Sequence, residues 1–381
     1  MKIALFGGSF DPVHQEHVRL VGAAIGHLGL DKAIVIPARV APHKIYGAVA
    51  SGEERLEMCK IAFRNLPRVE ISPFELESDG TSYSYLTCEH FKKRYPQAEL
   101  FFLVGADMLE NFFTWKFPER ILACVTLVAC GRGGERAEGL REKFRARFGC
   151  DYRILPFTGE AVSSTRLRTA LAFGKAPAEL DGEVCRYARE RGIYSHPAIL
   201  PALALEKEER REHSYRVAKM ATERARSLGV SERKALLASA LHDCAKYVPA
   251  DSPLLKGFVP PEGVPSPVLH QYTGAYLAEH TFGISDEEVL DAIRFHTSGR
   301  ENMTALGKLV FLADMLEEGR SYEGVEELRR LFFEDLDVCL YAALKRQTEY
   351  LAESGKPVYP LTQSAFLWAK GEFEEKAKYY V

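Results

Sequence analysis

The sequence predicts an α/β domain built on a parallel sheet over residues 1–195, followed by an all-α domain over 206–381, with a linker at 196–205. Three observations predict this. In the first half, short apolar runs stop at glycine or proline and alternate with helical patterns, the signature of strands with helices on both faces of a sheet. From about Glu206 onward the apolar spacing is helical almost throughout, with no strand pattern. The 381 residues suit two domains at roughly 100–200 residues each.

The elements follow in order. Ile3–Phe6 is an apolar run ending at Gly7-Gly8, and Glu16–His27 has helical spacing. Ala33–Ile36 ends at Pro37 and precedes a helical pattern over Glu53–Asn65. Leu100–Val104 ends at Gly105, and Ile121–Ala129 ends near Gly131. In parallel sheets ligands sit at the carboxyl ends of strands, where Gly7-Gly8 and Gly105 stand. Two prolines interrupt Ser195–Leu205 and mark the junction. Beyond it the helices read as Glu208–Leu228, Ser231–Tyr247, Pro267–Phe282, Ser285–Phe295, Ala305–Glu318 and Gly324–Glu353. Ser285-Asp286-Glu287-Glu288 has capping-box spacing. The tail Gly371–Val381 carries no readable motif.

Composition narrows the function classes. Fifty basic against fifty-three acidic side chains leave a net charge of −3, so no global basic field draws nucleic acid. No run reaches the ~18 apolar residues of a membrane span, and the amino terminus lacks a secretory pattern. Eight scattered cysteines without a Cys-x-x-Cys pair read as reduced, mostly buried thiols, which fits a cytoplasmic protein. Oligomeric state is not legible.

Gly7-Gly8-Ser9-Phe10-Asp11-Pro12-Val13-His14-Gln15-Glu16-His17 follows the first strand and opens the first helix. The glycines allow close backbone approach to a ligand. His14 and His17, three apart, share a face of the first turn. Free amides and the positive helix end gather there and favour phosphate oxygens. Two surface histidines after an ordinary turn are the alternative, which the whole eleven-residue string outweighs. Later, Val162-Ser163-Ser164-Thr165-Arg166-Leu167-Arg168 offers a serine cap, exposed amides and an arginine, a second phosphate clamp.

These strings resemble the nucleotidyltransferase patterns Gly-Gly-(Ser/Thr)-Phe-Asp-Pro-x-His-x-Gly-His and (Ile/Val)-Ser-Ser-Thr-x-(Ile/Leu)-Arg. His14, Ala41-Pro42-His43-Lys44, Ser82-Tyr83-Ser84-Tyr85 and Gly105-Ala106-Asp107-Met108 followed by Trp115 narrow the resemblance to nicotinate mononucleotide adenylyltransferases. It covers about residues 1–195. The resemblance implies a Rossmann-like fold and attack of the mononucleotide phosphate on the α-phosphorus of ATP, with magnesium accompanying the ATP. His14, His17, Lys44 and Arg166 would then hold phosphates, with Gly7, Gly8, Ser9, Phe10, Ser163, Ser164 and Thr165 around the ATP. Asp107 would take a ribose hydroxyl, Tyr83 and Trp115 would line the pyridine pocket, and Ser84, Gly105 and Arg132 would complete the acceptor site. Core packing is the alternative for Trp115 and Tyr83. Another phosphate compound as acceptor is the alternative for the activity. The family has glycine between the two histidines; this chain has Glu16, which should point away from the phosphates, since helix neighbours two apart do not face each other.

In the second half the informative residues are His213, His242-Asp243, His270, His296 and Asp314. A lone carboxylate on an apolar helix is costly to desolvate, and a shared divalent cation removes that cost for several such residues. Mixed imidazole and carboxylate ligation suits iron, manganese or zinc rather than calcium. Any one of these histidines alone reads as structural. Together with His242-Asp243-Cys244-Ala245-Lys246, Ala292–Gly299 and Val310–Asp314, the set resembles the HD-domain phosphohydrolases, and among them the bacterial symmetrical diadenosine tetraphosphate hydrolases. The resemblance covers about residues 205–370. It implies two divalent metals, iron with manganese as the alternative, held by those six residues, and cleavage of diadenosine tetraphosphate to two ADP. Asp243 would also serve catalysis, and Lys246 would face the phosphate chain; a surface lysine is its alternative. The expectation is a bifunctional enzyme acting on ATP, nicotinate mononucleotide and diadenosine tetraphosphate, without nucleic-acid or membrane partners. The competing expectation is an adenylyltransferase fused to a non-catalytic metal- or nucleotide-sensing module.

Overall fold

Buried on both faces, parallel strands need near-continuous apolar runs, and the first half supplies them. In the computed structural model, which describes residues 1–39, 49–78, 80–130 and 134–377, six strands form one sheet. They are β1 (Lys2–Gly8), β2 (Lys32–Pro37), β3 (Val69–Ile71), β4 (Glu99–Gly105), β5 (Thr126–Cys130) and β6 (Arg153–Ile154). The order is β3-β2-β1-β4-β5-β6, and every pairing is parallel. Ile3, Ala4, Leu5 and Ile34 are fully buried, and each large apolar side chain so placed contributes roughly 1.5–3 kcal/mol. The strand order reverses between β1 and β4, where α/β sheets open a ligand crevice.

Helices α1 (Gln15–Leu28), α2 (Gly52–Phe63), α3 (Phe74–Glu77), α4 (Ser84–Arg94), α5 (Ala106–Asn111), α6 (Pro118–Leu122), α7 (Gly134–Gly139), α8 (Arg141–Phe148), α9 (Ser164–Ala172) and α10 (Gly182–Glu190) connect the strands or follow them. Ile121–Ala129 is not one strand: Pro118 at the first helical position starts α6, and only Thr126–Cys130 is extended. The strands β3 and β6 escape the sequence pattern because three and two residues with polar members carry no periodicity.

Packing divides the chain into two units, residues 1–168 with 176–194 and residues 169–175 with 195–381. The second is helical: α11 (Ile199–Leu203), α12 (Glu208–Ala225), α13 (Glu232–Leu241), α14 (Ser266–His280), α15 (Glu287–Arg294), α16 (Ala305–Leu316), α17 (Val325–Glu334), α18 (Leu336–Glu353) and α19 (Pro360–Ala377). Residues 196–205, read as a linker, contain α11, whose Ile199, Ala202 and Leu203 are buried in this unit's core. The core centres on α16, apolar around most of its circumference and packed by α12, α13, α15, α17 and α18.

Helix ends account for the remaining differences. The run Gly324–Glu353 is two helices, because the Asp335 carboxylate accepts from the amides of Asp337 and Val338 and starts α18 afresh. Asp286, not Ser285, caps α15, accepting from Glu288 and Val289. Helix α13 stops at Leu241, so His242, Asp243 and Lys246 lie in the following turns rather than on the helix. Helix α19 covers most of the tail that carried no motif.

Candidate functional site

The first constellation stands at the carboxyl end of β1. A methyl group on Gly8 would lie 3.0 Å from the Phe10 ring, so glycine permits the tight turn that buries Phe10 against Phe6 and His17. Three buried groups hold the Ser9–Val13 loop. Arg55 donates to the Ser9 carbonyl (2.7 Å), Arg168 donates to the Asp11 carbonyl (2.6 Å), and the Asp11 carboxylate accepts from Val49 N (2.7 Å), Ala50 N (3.1 Å) and the Tyr194 hydroxyl (2.9 Å). Burial, aided by Asp11, pushes the Tyr194 phenol up, so it stays a donor.

On that fixed loop the imidazoles of His14 and His17 stack at 3.7 Å between centroids. The His14 backbone amide donates to His17 Nδ1 (3.2 Å), which puts the His17 proton on Nε2. Burial lowers His14 to about 4, with Glu16 opposing, so its ring is neutral near pH 7. Its Nδ1 is buried without a hydrogen-bond partner among the described residues. The pair therefore offers neutral imidazole edges at a helix start, suited to phosphoryl oxygens.

Ser163 Oγ accepts from Arg166 N (3.3 Å) at the start of α9, and Arg166 is exposed. Ser164 and Thr165 form the first turn, and Thr165 Oγ1 accepts from Arg168 (2.8 Å). Gly7 ends β1 in register with Ile36, and Gly105 ends β4 in register with Cys130. Asp107 follows Gly105 at the start of α5. Tyr83 precedes Ser84, the first residue of α4, and carries Lys116 over its ring at 4.2 Å. Trp115 is half-buried and packs on Phe102 and Phe112, and its indole N–H is buried without a partner among the described residues. Lys44 and Arg132 lie outside the described residues.

The second constellation gathers in the helical unit. His213 comes from α12, His242 and Asp243 from the turn after α13, His270 from α14, His296 from the turn after α15 and Asp314 from α16. Asp243 stands between two pairs of imidazoles. Its Oδ1 lies 3.2 Å from His270 Nε2 and 3.6 Å from His296 Nε2; its Oδ2 lies 3.5 Å from His242 Nε2 and 4.0 Å from His213 Nε2. Asp314 Oδ1 is 2.9 Å from His213 Nε2 and 4.0 Å from His242 Nε2.

The outer ring nitrogens decide how these imidazoles face. His242 Nδ1 bonds the Ser239 carbonyl (2.7 Å), His296 Nδ1 the Ile293 carbonyl (2.8 Å) and His213 Nδ1 the Glu317 carboxylate (3.1 Å). Each Nδ1 thus carries a proton, and each Nε2 is the nitrogen turned inward, where a cation could take its lone pair. Burial lowers His242 to about 3, and its Nε2 has no hydrogen-bond partner among the described residues. Two triads, His213-His242-Asp314 and His242-Asp243-His296, have donor atoms all within 4.8 Å of one another. Inward lone pairs, buried carboxylates and an orphaned nitrogen fit divalent cations.

Four residues escaped the sequence reading. Glu317 holds the His213 ring; burial works to raise its pKa, but the bonds from His213 and Arg216 hold it down to about 2. Arg210 sits 2.9 Å from Asp243 Oδ2 and Arg320 2.8 Å from Asp314 Oδ1, both partly exposed. Arg168, quoted only as part of a motif, ties the two amino-terminal strings together. Glu317 and Arg320 follow Asp314 by three and six residues, a helical spacing that marks a common face for the first of them. Lys246 Nζ is 3.0 Å from His270 Nε2, and burial lowers its pKa against the pull of Asp243.

A sheet with paired histidines at its switch point, continued by helices that focus imidazoles and carboxylates on one centre, defines a nucleotidyltransferase domain joined to an HD domain. Residues 5–170 match the cytidylyltransferase-like family and residues 210–319 the HD domain. A Mycoplasma pneumoniae protein described as a probable nicotinate-nucleotide adenylyltransferase/Ap4A hydrolase is 30% identical over 350 residues, 90% of this chain and 97% of that one. The symmetrical bis(5'-nucleosyl)-tetraphosphatase of Bacillus subtilis is 36% identical over 178 residues, 44% of this chain and 95% of that one. A probable nicotinate-nucleotide adenylyltransferase of Clostridium tetani is 34% identical over 177 residues, 46% of this chain and 88% of that one. The chain belongs to the family of nicotinate-nucleotide adenylyltransferase/Ap4A hydrolase fusions.

Proposed function

We propose that the chain is a bifunctional enzyme that transfers AMP from ATP to nicotinate mononucleotide and hydrolyses diadenosine tetraphosphate (Ap4A) to two ADP. In the first reaction a phosphate oxygen of the mononucleotide attacks the α-phosphorus of ATP. The bond from that phosphorus to the bridging oxygen breaks, and pyrophosphate leaves with the electron pair. No protein nucleophile is needed, so catalysis is positioning and charge stabilisation. His14, His17, the first amides of α9 and Arg166 would hold phosphates, joined by Lys44. Magnesium would arrive with the ATP. Tyr83, Ser84, Gly105, Asp107 and Arg132 would receive the acceptor, and the Trp115 N–H is a buried donor for a polar group on it.

In the second reaction water attacks a phosphorus of the tetraphosphate chain, and the central bridging bond breaks to release two ADP. The six residues His213, His242, Asp243, His270, His296 and Asp314 would hold two divalent cations, iron or manganese by their mixed donors. Such cations polarise a phosphoryl oxygen and lower the pKa of an attacking water. Asp243, which faces both imidazole pairs, would give its carboxylate to the cation site. Lys246, Arg210 and Arg320 would meet phosphate charge at the rim.

The observation that carries this reading is the inward convergence of imidazole nitrogens on Asp243. Purified protein given iron or manganese and Ap4A should form ADP, and His242→Ala should not. A wild-type protein that binds the metal yet yields no more ADP than His242→Ala would favour the sensing module. Comparing pyrophosphate release with nicotinate mononucleotide, its amide and phosphopantetheine identifies the acceptor.

A further inference from the structure

Glu16 stands where the nucleotidyltransferase pattern has glycine, and its carboxylate turns toward the segment that leads into α9. Its Oε2 accepts the backbone N–H of Glu160 at 2.9 Å, and Arg19 pairs with its other oxygen. Arg19 in turn lies 5.9 Å from the centroid of the Phe157 ring. Helix α1 therefore grips residues 157–160 through a hydrogen bond and a cation–π contact. The Glu16 side chain is only 12% exposed.

Gly159 explains how so close an approach is possible. A methyl group there would stand 2.8 Å from Glu16 Oε2 and 3.0 Å from the Phe157 ring. Any larger residue at 159 must push the carboxylate aside. The glycine missing between the two histidines has, in effect, its counterpart across the contact.

The grip has a consequence for the phosphate clamp. Glu160 precedes Ser163 by three residues, so fixing its amide fixes where the chain enters α9. Downstream, Arg168 fastens α9 to the Asp11 carbonyl at 2.6 Å. The Ser163-Ser164-Thr165 turn is thus held on both sides, and both tethers end on the first motif and its helix. We propose that Glu16 is a positioning residue for ATP: by clasping Glu160 to the first turn of α1, it sets the second phosphate-binding turn against the first. The part that concerns ATP rests on the adenylyltransferase reading; the clasp itself does not.

The test uses the full chain and three variants, Glu16→Ala, Glu16→Gln and Gly159→Ala. Glutamine keeps an acceptor oxygen and removes the charge; Gly159→Ala leaves Glu16 in the sequence but expels its carboxylate. Amide hydrogen exchange without nucleotide should show Glu160 exchanging about tenfold faster in Glu16→Ala and Gly159→Ala, and near the wild-type rate in Glu16→Gln. KM for ATP should rise about fivefold in the first two, the size of one lost hydrogen bond, with kcat within about twofold. In Glu16→Gln it should stay at or below the wild-type value. Unchanged Glu160 exchange in Glu16→Ala overturns the clasp, whatever the activity of the protein. Faster exchange with unchanged KM overturns the positioning role alone, and Glu16→Gln behaving like Glu16→Ala would assign the effect to charge instead.

Discussion

Arg168 donates a 2.6 Å hydrogen bond to the backbone carbonyl of Asp11, 157 residues earlier in the chain. One guanidinium thereby joins the loop after β1 to the helix that carries the second phosphate-binding string. The same side chain bonds Thr165 Oγ1 and is only 5% exposed. Removing it leaves the buried Asp11 carbonyl without this donor, at about 1–3 kcal/mol, and takes one bond from the half-buried Thr165 hydroxyl, at about 0.5–1.5 kcal/mol. Arg168→Ala should therefore lower stability by about 2–4 kcal/mol in chemical denaturation and depress adenylyl transfer. Arg168→Lys should restore little of either, because one ammonium cannot reproduce the fork that reaches both oxygens.

His14 makes the amino-terminal unit sensitive to acid. Burial places its folded pKa near 4, below the ordinary 6.5 of the unfolded chain. The unfolded state therefore binds the proton first, and the neutral ring favours folding fully only above about pH 6.5. That contribution is lost as pH falls from 6.5 toward 4, by at most about 3 kcal/mol. His14→Gln should flatten this part of the stability–pH curve. The chain has two tryptophans, so Trp115 fluorescence in a Trp368→Phe background reads this unit separately. Parallel curves for the two proteins would mean His14 titrates normally.

The residues of both constellations were legible because each occurs in a string whose spacing has chemical meaning. Gly7–His17 combines turn-forming glycines with imidazoles one helical turn apart, and His242-Asp243 places two polar groups after an apolar run. What supports them was less legible. Glu317 and Arg210 touch their partners only once α12, α13 and α16 have packed, and a lone glutamate or arginine on a helix reads as solvated surface. The short strands β3 and β6 left no period to detect, and Asp335 was hidden inside a continuous helical pattern. Local signals predicted the chemistry; packing supplied its scaffold.

Glu317 should matter for metal affinity although it is not among the six candidate ligands. Its carboxylate accepts a hydrogen bond from His213 Nδ1–H and so fixes which nitrogen faces the centre. Loss of such a backing partner typically costs 10–100-fold in metal affinity. Glu317→Ala should weaken manganese binding by about that factor in calorimetry and shrink the metal-induced rise in melting temperature. Glu317→Gln, which keeps an acceptor oxygen, should fall between. His14→Gln should leave both measurements where they were, since it alters only the other unit.

Arg210 and Arg320 should govern the grip on the polyphosphate. Each pairs with a carboxylate of the centre, Arg210 with Asp243 Oδ2 at 2.9 Å and Arg320 with Asp314 Oδ1 at 2.8 Å. Their side chains are 24% and 37% exposed, whereas those of His242 and Asp243 are at most 2% exposed. Both guanidiniums thus stand between the buried ligands and solvent, where an approaching polyphosphate would meet them first. Planar forks suit phosphate oxygens, and a charge-assisted bond contributes about 1.5–3 kcal/mol. Arg210→Ala and Arg320→Ala should each raise KM for Ap4A by about tenfold or more and steepen no metal dependence. Weakened metal binding with unchanged KM would instead make the two arginines mere counter-ions of the carboxylates. Raised KM with unchanged metal affinity would mark them as the grip on the phosphate chain.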